Sequence, residues 1–403
     1  MKVIEINTVN YGSTGKIAIQ VAKIAEGCSH QVYVCSSGGR KNSDRSDYDK
    51  KIYIGGFVSE KLHLLLGRIT GLNDCFSYFA TRKFLKKIKK INPDIIHIHN
   101  LHNCYINISL LFDFIQKNNI KTVWTLHDCW AFTGKCPYFD MANCYKWKEG
   151  CYNCPQKLMY PKSFIDSAKL LYNKKKKIFG KINNLTLVTP SKWLAEHAKN
   201  SFLGKCDIRV INNGIDLSVF NPRESDFRTK YNCEEKFIIL GVAFGWGKRK
   251  GLDVFKELAN KLNEKFQIVL VGTDDAVDKE LPDNIISIHR TDNQIQLAEI
   301  YSAADVFVNP TREENYPTVN MEAIACGTPV ITFNTGGSAE IIDDTCGISV
   351  EKNAVEEMLE KIIFVEKNRP FSKQDCLIRA EQFDSKLRYD EYVSLYEEIY
   401  KCD

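Results

Sequence analysis

The chain of 403 residues fits two domains of roughly 150 to 200 residues, each able to bury its own core, and its 44% apolar and 26% charged content excludes a disordered or fibrous class. A net charge of +5 is too small to argue for nucleic acid, and no uncharged apolar stretch reaches the length of a membrane span. With 15 cysteines and a strand already beginning near Met1 instead of a signal peptide, the expected setting is the cytoplasm, with thiols or metal ligands rather than disulfides.

Residues 2–7 form a β-rich run that ends in Asn-Tyr-Gly-Ser-Thr-Gly, and a helical pattern follows through Ile17, Val21 and Ala25. Gly12 and Gly15 allow close backbone approach to a ligand. A P-loop is excluded, because Asn10 stands where its first glycine belongs and Ile17 where Ser or Thr would bind magnesium. Residues 31–35, 94–98 and 121–126 read as buried parallel strands, with a helix over 106–117 between the last two. His97, His99 and His127-Asp128 stand at strand ends, where open α/β sheets bind ligands. Basic residues crowd two places, Arg82 to Lys90 and residues 174–177, as solvated helix faces or as contacts with an anionic membrane surface.

A cysteine-rich insert interrupts the pattern, and then a strand over 185–189 and a helix capped by Ser191 resume it. Residues 208–222 carry turn chemistry and mark the interdomain crossing. The second half repeats the plan, with strands over 237–242, 267–271 and 285–288 and helices over 251–263 and 294–303. Residues 309–331 then read as strand end, polar loop, a helix opening at Pro317, and a turn at Gly327. Amides of Thr318 and Val319 at that helix start suit an anion, and Glu314 and Glu322 flank it. Ordinary solvated glutamates explain that pairing equally well when it is taken alone. A glycine turn at Gly336-Gly337 follows, and the tail from Asp384 is a charged amphipathic helix.

Taken together, the amino-terminal glycine turn, Pro93-Asp-Ile-Ile-His-Ile-His, Thr125-Leu-His-Asp, Val210-Ile-Asn-Asn-Gly-Ile-Asp, Lys250-Gly251, the Glu314/Glu322 pair and Ala325-Cys-Gly-Thr-Pro329 resemble the retaining glycosyltransferases of family 4, of the exopolysaccharide and colanic-acid type. The resemblance implies an α/β GT-B fold, two facing Rossmann-like domains with a deep interdomain cleft. Residues 1–205 would bind acceptor, residues 206–383 the nucleotide-sugar donor, and residues 384–403 would cross back to the first domain. It implies that Glu322 holds the ribose, that Glu314 sits by the donor sugar, and that Lys250 and an arginine neutralise the departing diphosphate. His127 would contact the sugar near the reacting carbon, and Gly12, Gly15, Gly336 and Gly337 would line the cleft. The usual arginine place holds Gly245, so Arg249 is expected to substitute. Pro317 removes an amide that relatives keep, which shifts the phosphate contacts to Thr318 and Val319. No catalytic metal is expected.

The implied activity is transfer of a sugar from a nucleotide-sugar to a lipid-linked or growing surface polysaccharide acceptor, such as capsule or lipopolysaccharide, by a cytoplasmic enzyme with peripheral contact to the inner face of the membrane through the basic runs. A sugar-nucleotide 2-epimerase and a non-catalytic, zinc-stabilised glycan-binding protein are the competing readings. The insert over 129–156 offers Cys136, Cys144, Cys151 and Cys154, whose closing two-residue spacing is that of a zinc knuckle. Structural zinc, free thiols and disulfides all remain open there.

Overall fold

The computed structural model describes residues 1–39 and 47–401. Two compact units emerge, Met1–Ile211 with Tyr389–Asp403, and Asn212–Arg388. The first is built on seven parallel strands, β1 (Lys2–Ile6), β2 (Gln31–Ser37), β3 (Lys51–Ile54), β4 (Ile95–Ile98), β5 (Lys121–Thr125), β6 (Leu185–Thr189) and β7 (Asp207–Val210), in the order β3-β2-β1-β4-β5-β6-β7. The inner strands are near-continuous Val and Ile runs, as both faces are covered. The helices that position the features below are α1 (Gly12–Gly27), α2 (Phe57–Thr70), α3 (Tyr78–Ile91), α4 (Ile108–Lys117) and α5 (Ala168–Phe179). The last helix, Ser385–Lys401, buries Tyr389, Tyr392 and Tyr396 in this unit's core beside Val3, Val21 and Val32.

The second unit has six parallel strands, β8 (Phe237–Val242), β9 (Phe266–Val271), β10 (Ile285–Ile288), β11 (Val306–Asn309), β12 (Val330–Phe333) and β13 (Gly347–Val350), in the order β10-β9-β8-β11-β12-β13. In each sheet the strand order reverses beside the first strand, between β1 and β4 and between β8 and β11. At such a reversal the loops diverge to opposite faces and leave a crevice beyond the carboxyl ends. No helix among the described residues is long and apolar enough to cross a membrane.

Several elements lie outside the sequence reading. β3 is a four-residue edge strand, too short for a periodic signal. Helix α2 buries His63 and Gly67 and exposes Val58, Leu62, Leu65 and Ile69, the inverse of a core-packed helix, so the usual apolar-inside pattern does not mark it. The basic run at 174–177 is also divided: Lys175 is buried, and its Nζ donates to the carbonyls of Trp130 (2.7 Å) and Thr133 (3.3 Å). Lys135 Nζ likewise donates to Lys157 O and Ser163 Oγ, each at 2.8 Å. Two buried cations thus tie the cysteine-rich insert together through carbonyl and hydroxyl oxygens, which removes one of them from the solvated face that the sequence suggested.

Gly241 of β8 leaves no room for a side chain, since a Cβ there would come within 2.5 Å of the Phe255 ring. Gly241→Val is expected to destabilise the second unit by about 1–3 kcal/mol through overpacking. Chemical denaturation should show an earlier unfolding transition, and an unchanged one would contradict this packing.

Candidate functional site

The site residues cluster at the two reversals. In the second unit, the loop after β8 makes a tight turn over Lys248–Lys250, and Gly251 follows at φ 78° to start helix Leu252–Lys261. Only glycine fits there, because a Cβ would meet Pro310 at 2.5 Å. Arg312 locks this turn to the loop after β11. Its guanidinium makes a two-bond fork to Asp253 at 2.7 and 2.9 Å and also donates to Lys248 O and Asn353 Oδ1. The backbone closes the same junction through Arg312 N–H to Arg249 O at 2.9 Å. The sequence reading assigned Arg312 and Asp253 no role; neither lies in a motif, and their pairing across 59 positions leaves no local signal.

That lock brings Lys250 Nζ to 2.6 Å from Glu314 Oε2. Arg249 lies close enough to act on the same carboxylate and donates from Nη1 to Glu313 O at 3.2 Å. Burial would raise the Glu314 carboxyl, but Lys250 and then Arg249 outweigh it and hold the group below the ordinary glutamate range. The glycine turn presses on the same loop: a Cβ at Gly336 would sit 1.8 Å from Glu314 O, and Gly337 N–H donates to Asn315 O at 2.6 Å. Lys250, Arg249, Glu314, Gly336 and Gly337 therefore form one cluster.

Helix Thr318–Ala325 begins just beyond it with no side-chain cap, which leaves its positive end to the loop. Pro317 occupies the N-cap position at φ −72° and ψ 116° rather than the first helical turn expected for it. Its missing N–H consequently falls outside the helix, and Thr318 and Val319 are the first two helical residues. Glu322 lies one turn further on and accepts from the Tyr301 hydroxyl at 3.1 Å.

In the first unit, Gly12 opens α1 at φ 69°, and a Cβ on Gly15 would collide with Val9 O and Asn10 C at 2.8 Å. The backbone after β1 therefore folds tightly over the start of α1. Beside it runs a chain of imidazoles. Glu5 in β1 receives His97 Nδ1 at 2.9 Å, His99 Nε2 at 2.9 Å and the Tyr396 hydroxyl at 2.7 Å. His99 Nδ1 in turn lies 2.9 Å from His127 Nε2, with the two rings stacked. Since His99 Nε2–H donates to the carboxylate, its Nδ1 is the acceptor, and His127 donates from Nε2. His97 and His99 are therefore buried partners of Glu5, and His99 in addition orients His127.

Burial works against the Glu5 charge, but His97 and His99 override it and bring the carboxyl down to about 2. Burial, with His97, lowers His99 to about 4, and burial with His99, His97 and His102 drives His127 well below the ordinary histidine range. His127 is therefore a neutral hydrogen-bonding group. His102 pairs with Asp128 at 2.9 Å, and these two line a small recess with His99 and His127. A far larger cavity of about 590 Å³ opens where β5, β6 and β7 begin, at the opposite strand ends, and none of the predicted site residues line it.

Cys136, Cys144, Cys151 and Cys154 line one cavity of about 20 Å³ under Trp147, and every cysteine among the described residues is a free thiol.

The family description Glycosyltransferase Family 4 matches residues 19–219, and Glycosyl transferases group 1 matches residues 224–382. Among curated proteins, the chain is 26% identical to the putative colanic acid biosynthesis glycosyl transferase WcaC of Escherichia coli over 387 residues, 92% of each chain. It is 28% identical over 226 residues, 51% of this chain and 58% of the relative, to the N,N'-diacetylbacillosaminyl-diphospho-undecaprenol alpha-1,3-N-acetylgalactosaminyltransferase of Campylobacter jejuni. Sucrose-phosphate synthase from Thermosynechococcus elongatus shares the fold with a TM-score of 0.72 at 16% identity, covering 100% of both chains. Anabaena HepE in complex with UDP-glucose does so with a TM-score of 0.69 at 13% identity, covering 99% of both.

A buried histidine whose folded pKa lies below its unfolded value binds its proton more weakly in the native state, so its stabilisation is complete above the unfolded pKa and is lost as pH falls. His99 and the equally buried His63 both drop from 6.5 to about 4. Thermal unfolding should therefore hold steady above pH 6.5 and weaken between pH 6.5 and 4, by on the order of 3 kcal/mol for each group. A midpoint that stays level across that window would contradict the assignment.

Proposed function

The chain belongs to the glycosyltransferases of the Glycosyltransferase Family 4 and group 1 type, and from that premise we propose that it moves a sugar from a nucleotide-sugar donor to a lipid-linked or growing surface polysaccharide acceptor, with retention of the anomeric configuration. The observation that carries this reading is the Lys250–Glu314 pair with Arg249 at the β8/β11 reversal, in front of an uncapped helix start. Cleavage of a glycosyl phosphate needs preorganised positive charge where the diphosphate departs. Lys250 and Arg249 supply it, the amides of Thr318 and Val319 add to it, and the fork from Arg312 to Asp253 fixes the turn that carries both cations. Glu322 receives ribose hydroxyls, and Glu314 orients Lys250 and meets the sugar. His127, neutral and anchored by His99, donates or accepts at the sugar without serving as a base.

The donor class is supported by the nucleotide and nucleotide-sugar bound to HepE, and the lipid-linked acceptor by the diphospho-undecaprenol substrate in the name of the Campylobacter relative. We place the reaction in the cytoplasm, at the inner face of the membrane. The comparisons favour neither an epimerase nor a glycan-binding protein without activity.

Lys250→Ala is expected to lower kcat by about 10²–10³ while changing nucleotide affinity little. Glu322→Ala should instead weaken nucleotide binding by about tenfold or more, as a charged hydrogen-bond acceptor is lost. Calorimetry and steady-state turnover on both variants decide this, and the reverse order of effects would contradict the assigned roles.

A structural zinc ion in the insert is part of the proposal. Gly134 N–H donates to Cys151 Sγ at 3.1 Å, the kind of outer hydrogen bond that suits a thiolate ligand, and the cavity admits one ion. Among the described residues no three of the four sulfurs lie within 4.8 Å of one another, so binding must draw them together. Elemental analysis of purified protein should find about one zinc per chain, lost in a Cys151→Ser, Cys154→Ser variant. Metal-free protein with all four thiols open to alkylation in the native state would rule the ion out.

A further inference from the structure

Among the described residues, Phe244 is the most exposed large apolar side chain, at 100%. A single apolar residue on a surface is ordinary; this one is set apart by how its backbone is held and by where it stands. Residues on both sides of it are tied to one carbonyl at the end of β9: Ala243 N–H donates to Val271 O at 3.1 Å, and Trp246 Nε1–H donates to the same oxygen at 3.0 Å. The Trp246 indole also packs edge-on against Phe255, with ring centroids 5.4 Å apart. Gly272 presses on the same stretch, since a Cβ there would lie 1.9 Å from Ala243 O and 3.8 Å from Phe244 N. Gly245, at φ 79°, makes the turn between Phe244 and Trp246. The ring is thus raised by a pinned turn, so a ligand that covers it orders little backbone on binding.

β8 lies between β9 and β11, and the charged cluster occupies its β11 side. There Lys250 meets Glu314, and the Gly336 turn beyond β12 presses on Glu314 O. Phe244 stands on the opposite flank, against the end of β9. A Cβ built on Gly245 or Gly247 would meet nothing within 4 Å, so the turn borders open space. A nucleotide-sugar is a linear array of sugar, diphosphate, ribose and base. With the sugar at Glu314 and the diphosphate at Lys250 and Arg249, the base comes to the β9 flank.

We propose that Phe244 is the stacking platform for the nucleobase of the donor, on the β9 side of the diphosphate site. The proposal rests on the nucleotide-sugar reading of the β8/β11 reversal and adds to it the residue that meets the base. Every base has a π-face, and stacking on an aromatic ring holds it whatever its identity. Phe244 therefore supplies affinity, and the choice of base is left to hydrogen bonds at the edge of the base.

The test is calorimetric titration of the full chain and of its Phe244→Ala, Phe244→Leu and Phe244→Trp variants with UDP, GDP, ADP, their glucose conjugates and inorganic pyrophosphate. The nucleoside diphosphate that binds the wild-type chain best should bind Phe244→Ala about tenfold more weakly, as one stacked aromatic is lost, and Phe244→Trp should restore the affinity. Phe244→Leu, apolar but without a π-face, should fall with the alanine variant. Pyrophosphate has no base and should bind all four proteins alike. The ring is wholly exposed in the free chain, so the ligand-free melting midpoint should not change among them. Equal affinity of the wild-type chain and Phe244→Ala for the nucleoside diphosphate overturns the proposal. A parallel loss of pyrophosphate binding does so as well, because Phe244 would then be a support of the turn. A loss confined to the glucose conjugate also overturns it, since the ring would then lie against the sugar. These three results leave the nucleotide-sugar reading standing, whereas a wild-type chain that binds none of the nucleotides overturns both.

Discussion

In each sheet the strand order reverses beside its first strand, and that reversal dictates where each unit can hold a polar ligand. Elsewhere a parallel sheet with both faces covered favours apolar side chains and takes polar ones such as Glu5 and His97 only where they are paired, and β4, β6, β11 and β12 are wholly buried. At the reversal the carboxyl ends are left open, and backbone amides, glycine turns and charged side chains collect there. Gly12, Gly15 and the imidazole chain stand at the first of these points, and Lys250, Arg249, Glu314 and the Gly336 turn at the second. The loops differ, but the topological reason for their placement is the same.

The two units hold charge in different ways. In the first, Glu5 lies at the centre of the sheet, where an ionised carboxylate is tolerated only because His97, His99 and Tyr396 all donate to it. Satisfying that one group fixes the tautomer of His99 and the direction of His127, and it binds the last helix to the sheet through Tyr396. In the second, the charges stay near the surface and are held by geometry. Arg312, mostly buried and forked onto Asp253, keeps the Lys248–Lys250 turn in place, so that Lys250 and Arg249 meet Glu314 without a search through rotamers.

Most of the fold was legible in the sequence because it rests on local signals. Strand runs such as residues 237–242, glycine turns at strand ends and the helix cap at Ser191 carry their conformation in a few adjacent residues, and the fold contains each of them. The site was legible only in part. Glu314, Lys250 and His127 could be named from motifs, whereas Arg312 and Asp253 pair across 59 positions and Glu5 meets His99 across 94 and Tyr396 across 391, distances that no periodicity spans. Helix α2 escaped for another reason, because it buries His63 and Gly67 and turns Val58, Leu62, Leu65 and Ile69 outward, the inverse of the pattern that marks a helix packed on a globular core. Lys175 shows the limit of composition: four consecutive lysines look alike in sequence, yet the helix period turns one of them inward onto Trp130.

The central claim is that the β8/β11 reversal is a nucleotide-sugar site. A thermal-shift screen of the wild-type chain and the Glu322→Ala variant against UDP, GDP and ADP sugars tests it most directly, since a ligand bound only by the native state stabilises it by about 2.7 kcal/mol at a hundredfold excess over Kd. One nucleotide series should raise the wild-type midpoint and shift the variant much less. No shift with any of them, or an equal shift in both proteins, would contradict the account.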